Sequence, residues 1–214
     1  MLRLGILASG SGTNFQALAE ACREKRIDAE VATLIVNVPG AGALARAEKL
    51  GVPATVIDHQ AFTDRALFER ELVRALQSAK VDLVCLAGFM RLVGQTLLAP
   101  FAGRILNIHP SLLPAFPGLN AVRQALEYRV ALTGCTVHVV DSGTDTGPIL
   151  LQAAVPVQPG DTEETLAARI HAQEHQLYPA AVKLFVENRV TVRGRTVRID
   201  GRPAEGVLVG PVSV

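Results

Sequence analysis

The chain opens with an apolar run of strand length, Leu2–Ala8. In the stretch that follows, Asn14–Lys25, Phe15, Leu18, Ala19 and Cys22 recur at helical spacing. The alternation then repeats. Glu30–Val36 reads as a strand, Gly42–Leu50 as a helix and Ala54–Ile57 as a short strand. Thr63 or Asp64 can cap a long helix whose apolar face holds Leu67, Phe68, Leu72, Leu76 and Ala79. Val81–Ala87 is a strand apolar on both sides. Strands without a polar face, separated by helices, indicate a parallel sheet covered on both sides by its crossovers. Right-handed crossovers make this a doubly wound α/β fold, Rossmann-like, with ligands expected at the C-terminal ends of its strands.

The second half changes character. Arg104–His109 reads as a strand and Asn120–Glu127 as a helix. Cys135–Asp141 and Ile149–Val157 are strands joined by a loop rich in Gly, Thr and Asp, and they predict antiparallel additions to the sheet. Asp161 begins a long helix to about Val186, through Leu166, Ile170, Leu177, Ala181 and Leu184, with Tyr178-Pro179 at a possible kink. Beyond it, Val190–Val192 and Thr196–Ile199 flank Gly194 as a solvated hairpin. The expected organisation is one domain over 1–188, divided near residue 100, and a tail over 189–214.

Composition narrows the class. A chain of 214 residues can bury a substantial core, and its 49% apolar content lies in short runs. None approaches the roughly 20 apolar residues of a membrane-spanning helix. The N-terminal run reaches Gly10-Ser11-Gly12 after one Arg, so it reads as a strand and not a secretory signal. A formal charge of +1 gives no basis for nucleic-acid or membrane affinity. Arg189, Arg193, Arg195, Arg198 and Arg202 crowd the tail but have no aromatic partners to stack bases. Cys22, Cys85 and Cys135 are far apart and odd in number, which fits a reducing cytoplasm, with Cys85 a small core residue.

Four segments carry candidate chemistry. Asn107 and His109 lie one residue apart at a strand end, so alternation aims both to one face. Pro110, Pro114 and Pro117 stiffen the loop that follows. An amide and an imidazole so held can stabilise an oxyanion and move a proton, or can simply cap the strand. Ser9-Gly10-Ser11-Gly12-Thr13-Asn14, after the first strand, is a glycine turn opening a helix, which suits an anion. Phe15 stands where a dinucleotide fingerprint needs its third glycine, and no Walker lysine is present, so one phosphate of a small sugar phosphate fits better than NAD or ATP. The alternative is a plain helix cap by Ser11 or Thr13.

The loop Asp141-Ser142-Gly143-Thr144-Asp145-Thr146-Gly147-Pro148 holds two carboxylates in flexible backbone. If it meets His109, one Asp would raise the imidazole pKa and make a general acid usable near neutrality. At the end of the Val81–Ala87 strand, Met90, Leu92 and Val93 can wall an apolar slot for a flat ring, or can be ordinary core. His171-Ala172-Gln173-Glu174-His175 matches a short zinc-protease pattern with two histidines on one helix face. It has no clear third ligand, so Gln173 and Glu174 are better read as hydrogen-bond partners of a substrate.

Taken in order, the glycine turn, Ala87-Gly88-Phe89-Met90-Arg91, Asn107-Ile108-His109-Pro110-Ser111-Leu112-Leu113-Pro114, Asp145-Thr146-Gly147-Pro148, and Gln173-Glu174-His175 with Tyr178-Pro179 resemble the folate-dependent formyltransferases. Within them they resemble the phosphoribosylglycinamide formyltransferases, from residue 2 to about 188. The resemblance implies transfer of a formyl group from 10-formyltetrahydrofolate to a glycinamide amine in purine biosynthesis, without a metal. It implies that Gly12, Thr13 and Asn14 hold the ribose phosphate and that Gln173 and Glu174 face the glycinamide. Arg65, Met90, Arg91, Leu92, Val93, Asn107 and the loop Asp141, Ser142, Gly143, Thr144 and Asp145 would hold the folate. Asn107, His109 and Asp145 would be catalytic, with His109 protonated. Thr13 stands where these enzymes have Ser, which keeps the hydroxyl. Small-molecule substrates and a monomer or homodimer are expected. The rivals are methionyl-tRNA formyltransferase, which needs a C-terminal tRNA-binding domain, formyltetrahydrofolate hydrolase, which carries an extra N-terminal domain, and a non-catalytic sugar-phosphate sensor.

Overall fold

In the computed structural model the described residues are 1–200, so Arg202 of the basic tail lies outside them. These residues form two compact units, one over Met1–Asn107 and the other from Ile108 onward.

The first unit holds β1 (Leu2–Ala8), α1 (Thr13–Arg23), β2 (Ala29–Val36), α2 (Gly42–Leu50), β3 (Ala54–Val56), α3 (Arg65–Ser78), β4 (Leu83–Leu86) and α4 (Gln95–Leu98). It also holds most of β5 (Ile105–His109). These strands are parallel in the order β3-β2-β1-β4-β5. Leu4, Ile6 and Leu7 on β1 and Val84 and Cys85 on β4 are fully buried, as strands covered on both faces must be. A Cβ on Gly5 would lie 2.5 Å from Leu76 Cδ2, so this glycine is what lets α3 pack so closely on β1.

Asp64, not Thr63, caps α3, its carboxylate accepting the Leu67 N–H at 2.8 Å. Leu67 is 38% exposed, so it sits at the edge of the expected apolar face of α3. The sequence reading missed α4, which is too short for periodicity. Its start is held by buried Glu69, whose carboxylate accepts the Gly94 N–H at 2.6 Å and the Leu97 N–H at 3.2 Å. β2 continues the order to one side of β1 and β4 to the other, which makes the ends of β1 and β4 the switch point where doubly wound sheets bind ligands.

The second unit holds α5 (Ala121–Glu127), β6 (Leu132–Val139), β7 (Ile149–Pro156), α6 (Glu163–Val186), β8 (Val190–Arg193) and β9 (Thr196–Ile199). β6 pairs antiparallel with β7, and β8 with β9. The doubly wound, mostly parallel fold with antiparallel additions is therefore as expected. β6 starts three residues before Cys135 and stops at Val139, because Leu132-Thr133-Gly134 pairs despite lacking apolar alternation. Its register slips between Val137 and His138, a bulge of the kind that re-aims a side chain. α6 starts from a reciprocal cap between Thr162 and Thr165, packs on β6 and β7, and carries Pro179 inside it.

Candidate active site

In the first unit the switch point is tied together by side chains. The Ser9 N–H donates to the Gly88 carbonyl at 3.0 Å. Ser9 Oγ accepts the Met90 N–H at 2.8 Å and donates to Asn37 Oδ1 at 2.6 Å. The Asn37 carbonyl in turn meets His59 Nδ1 at 2.8 Å. The glycine turn and the Met90 segment are thereby fixed to one another. Gly12 has φ 76°, and a Cβ there would lie 2.6 Å from the Ala43 Cβ, so only glycine fits. Neither Ser11 nor Thr13 caps α1, contrary to the plain-cap alternative; Gly12 is the N-cap and no side chain bonds there. Thr13 is half-buried, Asn14 is buried, and Arg46 Nε donates to the Ser11 carbonyl at 2.8 Å.

Met90 and Leu92 are 61% and 62% exposed, unusual for apolar side chains beside ordered backbone, so the ordinary-core reading fails for them. Arg91 is exposed and Val93 half-buried. Arg65 lies 3.7 Å from Glu69 Oε1, the carboxylate that holds Gly94, so Arg65 stands at the end of this segment. Asn107 is half-buried on β5, paired with Leu86.

In the second unit His109, the last residue of β5, is 4% exposed. Its Nε2 is 2.8 Å from the Phe116 carbonyl and its Nδ1 3.3 Å from Asp145 Oδ2. Asp145 Oδ2 also accepts the Gly118 N–H at 2.8 Å, and Asp145 Oδ1 is 3.5 Å from Nε2 of His138. Asp145 thus sits between two buried imidazoles. The sequence reading missed His138. Its signal was that Thr136 and His138 put polar groups on one face of an otherwise apolar strand.

The proline loop is pinned beneath this cluster. Buried Thr136 Oγ1 accepts the Leu113 N–H at 3.1 Å and donates to the Ser111 carbonyl at 2.7 Å, while Gln152 Nε2 bonds both Thr136 Oγ1 and the Leu113 carbonyl at 2.9 Å. The acidic loop is tied within itself and to the end of β6. Asp141 Oδ1 accepts from the Gly143 N–H at 3.0 Å and from Thr146 Oγ1 at 2.7 Å, and a Cβ on Gly147 would lie 1.7 Å from the Val139 carbonyl oxygen. Ser142, Gly143 and Thr144 remain exposed.

Charge in the cluster follows from burial and pairing. Burial pushes the His109 imidazole below its ordinary pKa, against the upward pull of the Asp145 carboxylate and the Phe116 carbonyl; the nearby His138 adds to the fall. The expectation of a raised His109 is therefore corrected: the meeting with Asp145 occurs and pulls as expected, but desolvation outweighs it. Asp145 lies below the usual carboxylate value. Burial raises it, but hydrogen bonds from His138 and Gly118 and the two imidazole charges more than offset that.

On α6, Glu174 is buried and Gln173 half-buried. Burial, and then the Glu174 charge, push the Cys135 thiol far above its ordinary pKa. His171 and His175 do share a helix face, with ring centroids 6.4 Å apart. Among the described residues no group of three His, Cys, Asp or Glu side chains is placed to hold a metal ion.

Residues 2–182 match the formyl transferase family. This chain belongs to that family. The formyl transferase is 44% identical to the phosphoribosylglycinamide formyltransferase of Bacillus subtilis over 88% of its own length and 98% of the relative's. Against the enzyme of the same name from Escherichia coli the identity is 39%, over 96% and 98% of the two chains. It is also 46% identical to the trifunctional purine biosynthetic protein adenosine-3 of Drosophila melanogaster, of which it spans only 14%. The crystal structure of glycinamide ribonucleotide transformylase 1 from Symbiobacterium toebii superposes with a TM-score of 0.92 at 56% identity, over 93% and 94% of the chains.

Proposed function

We propose that this formyl transferase moves the formyl group of 10-formyltetrahydrofolate to the amine of phosphoribosylglycinamide, in the cytoplasm, as a step of purine biosynthesis. The buried His109–Asp145 pair carries the reading, because it supplies proton transfer without a metal or a nucleophilic side chain. The names of relatives that match it end to end support the substrates. The first half, 1–100, would serve the phosphate and contribute Arg65 and Met90–Val93 toward the folate, and 101–188 would supply the remaining folate contacts and the chemistry, with 189–214 a C-terminal hairpin and tail.

The site residues fit both substrates chemically. Gly12, Thr13 and Asn14 at the start of α1 offer backbone N–H groups, a hydroxyl and the positive end of a helix dipole to a phosphate. Exposed Met90 and Leu92, with Arg91, Val93 and Arg65 beside them, suit a flat pterin with polar edges. Asp141, Ser142, Gly143, Thr144 and Asp145 are the other folate-binding residues of this reading. Gln173 and Glu174 would meet the glycinamide. The folate supplies an activated formyl carbon.

Asn107 donates its amide N–H to the oxygen that becomes negative as the amine attacks. The His109–Asp145 pair, with His109 neutral at rest because burial depresses its pKa, takes the proton that the attacking nitrogen loses. The imidazolium then forms at the moment the oxyanion needs it, and Asp145, ionised at neutral pH, balances its charge. The same proton returns to the departing folate nitrogen. A donor hydrolase would use water in place of the amine.

The test is the absorbance change for 10-formyltetrahydrofolate going to tetrahydrofolate, with and without the glycinamide. Turnover only with the glycinamide is expected. Turnover without it would identify a hydrolase, and none in either case would overturn the transferase.

A further inference from the structure

The tail hairpin reaches the acidic loop. Arg195, which follows the turn at Gly194 (φ 57°), lies at the tip between β8 and β9, and its Nη1 donates to the Thr146 carbonyl at 2.7 Å. The base of the hairpin is closed by its own bonds. The Asp200 N–H donates to the Arg189 carbonyl at 2.9 Å, Arg189 Nη2 returns a bond to the Asp200 carbonyl at 2.8 Å, and Ile199 is buried. The tip is therefore presented by a structured ribbon and is not a loose side chain settling on a surface.

The carbonyl it holds matters because of its neighbour. Thr146 follows Asp145, which adopts φ 54°, a left-handed conformation that a non-glycine residue keeps only when its surroundings hold it there. Thr146 also bonds Asp141 through its hydroxyl, so a bond to its carbonyl fixes the Thr146–Gly147 peptide and with it the residue next to the carboxylate that faces both imidazoles. We propose that the β8–β9 hairpin is a strap and that Arg195 is a positioning residue, holding the 141–146 loop so that Asp145 stays between His109 and His138. The geometric part needs no assumption about the reaction; its kinetic consequence rests on the transferase reading.

Two measurements on the full chain test it. In the free protein, hydrogen exchange of the 142–147 amides is followed in wild type, Arg195→Met and Arg195→Lys. The strap predicts exchange about tenfold faster in Arg195→Met, the factor lost with one charge-assisted bond, and near wild type in Arg195→Lys, whose ammonium can still donate to a carbonyl. Exchange unchanged in Arg195→Met, or raised equally in both variants, overturns it. In the assay, Arg195→Met lowers kcat/KM for the formyl donor about tenfold, leaves KM for the glycinamide within about twofold, and Arg195→Lys recovers most of the loss. A raised KM for the glycinamide with kcat unchanged would make Arg195 merely structural. Exchange needs no substrate, so the strap can fail while the transferase stands, and the reverse.

Discussion

His109 has an acceptor on each ring nitrogen, the Phe116 carbonyl on Nε2 and the Asp145 carboxylate on Nδ1, so only the imidazolium satisfies both. Burial works the other way and prevails, which leaves the neutral ring in the majority at pH 7. A base with this balance gains a proton readily once negative charge appears beside it. The pH profile of kcat/KM should therefore show an acid limb below the ordinary histidine value of 6.5. Replacing Asp145 with Asn keeps an oxygen for the Gly118 N–H but removes the charge that raises His109. Asp145→Asn should thus move the limb to lower pH and reduce kcat by about 10²–10⁴-fold, the usual share of a proton-transfer partner. A limb that stays put would mean that another group titrates.

At the scale of elements, the cluster depends on how β6 meets the proline loop. Thr136 is the only hydroxyl bonded at once to Leu113, Ser111 and Gln152 among the described contacts of that loop. Thr136→Val is isosteric but strands a buried N–H and a buried carbonyl, and should cost about 1–3 kcal/mol in urea denaturation, while Thr136→Ser should cost less. A valine variant as stable as the serine variant would remove the argument. The strand itself was legible in the sequence, but this function of Thr136 was not. A threonine inside a β-branched run reads as strand propensity, and only the pairing of β6 with β7 reveals which loop its hydroxyl faces. His138 follows Thr136 on the strand's polar face, but its meeting with Asp145 depends on the path of the 141–148 loop, which no pattern of apolar residues records. The short α4 was invisible because its start is held by Glu69, 26 residues before Gln95.

For the molecule as a whole, the doubly wound architecture followed from strands apolar on both faces, and its motif residues followed from loops at strand ends. What the sequence could not give was the balance of charge, since desolvation is set by packing from every side. That balance also affects stability. His109 has a folded pKa below its unfolded value of 6.5, so the unfolded chain binds this proton first as pH falls. Its contribution to stability is complete above pH 6.5 and is lost progressively below it, until the folded ring also protonates. Asp145, depressed from 3.8, adds its own loss only below that value. Between pH 7.5 and 5, the wild-type Tm should therefore fall, and His109→Asn, which has no proton to bind, should fall less steeply. The comparison of slopes cancels the titrating groups that lie away from His109, because both proteins share them. Parallel slopes would place the imidazole in an environment no less favourable to charge than water, and the proposed order of proton transfer, in which His109 begins neutral, would have to be reversed.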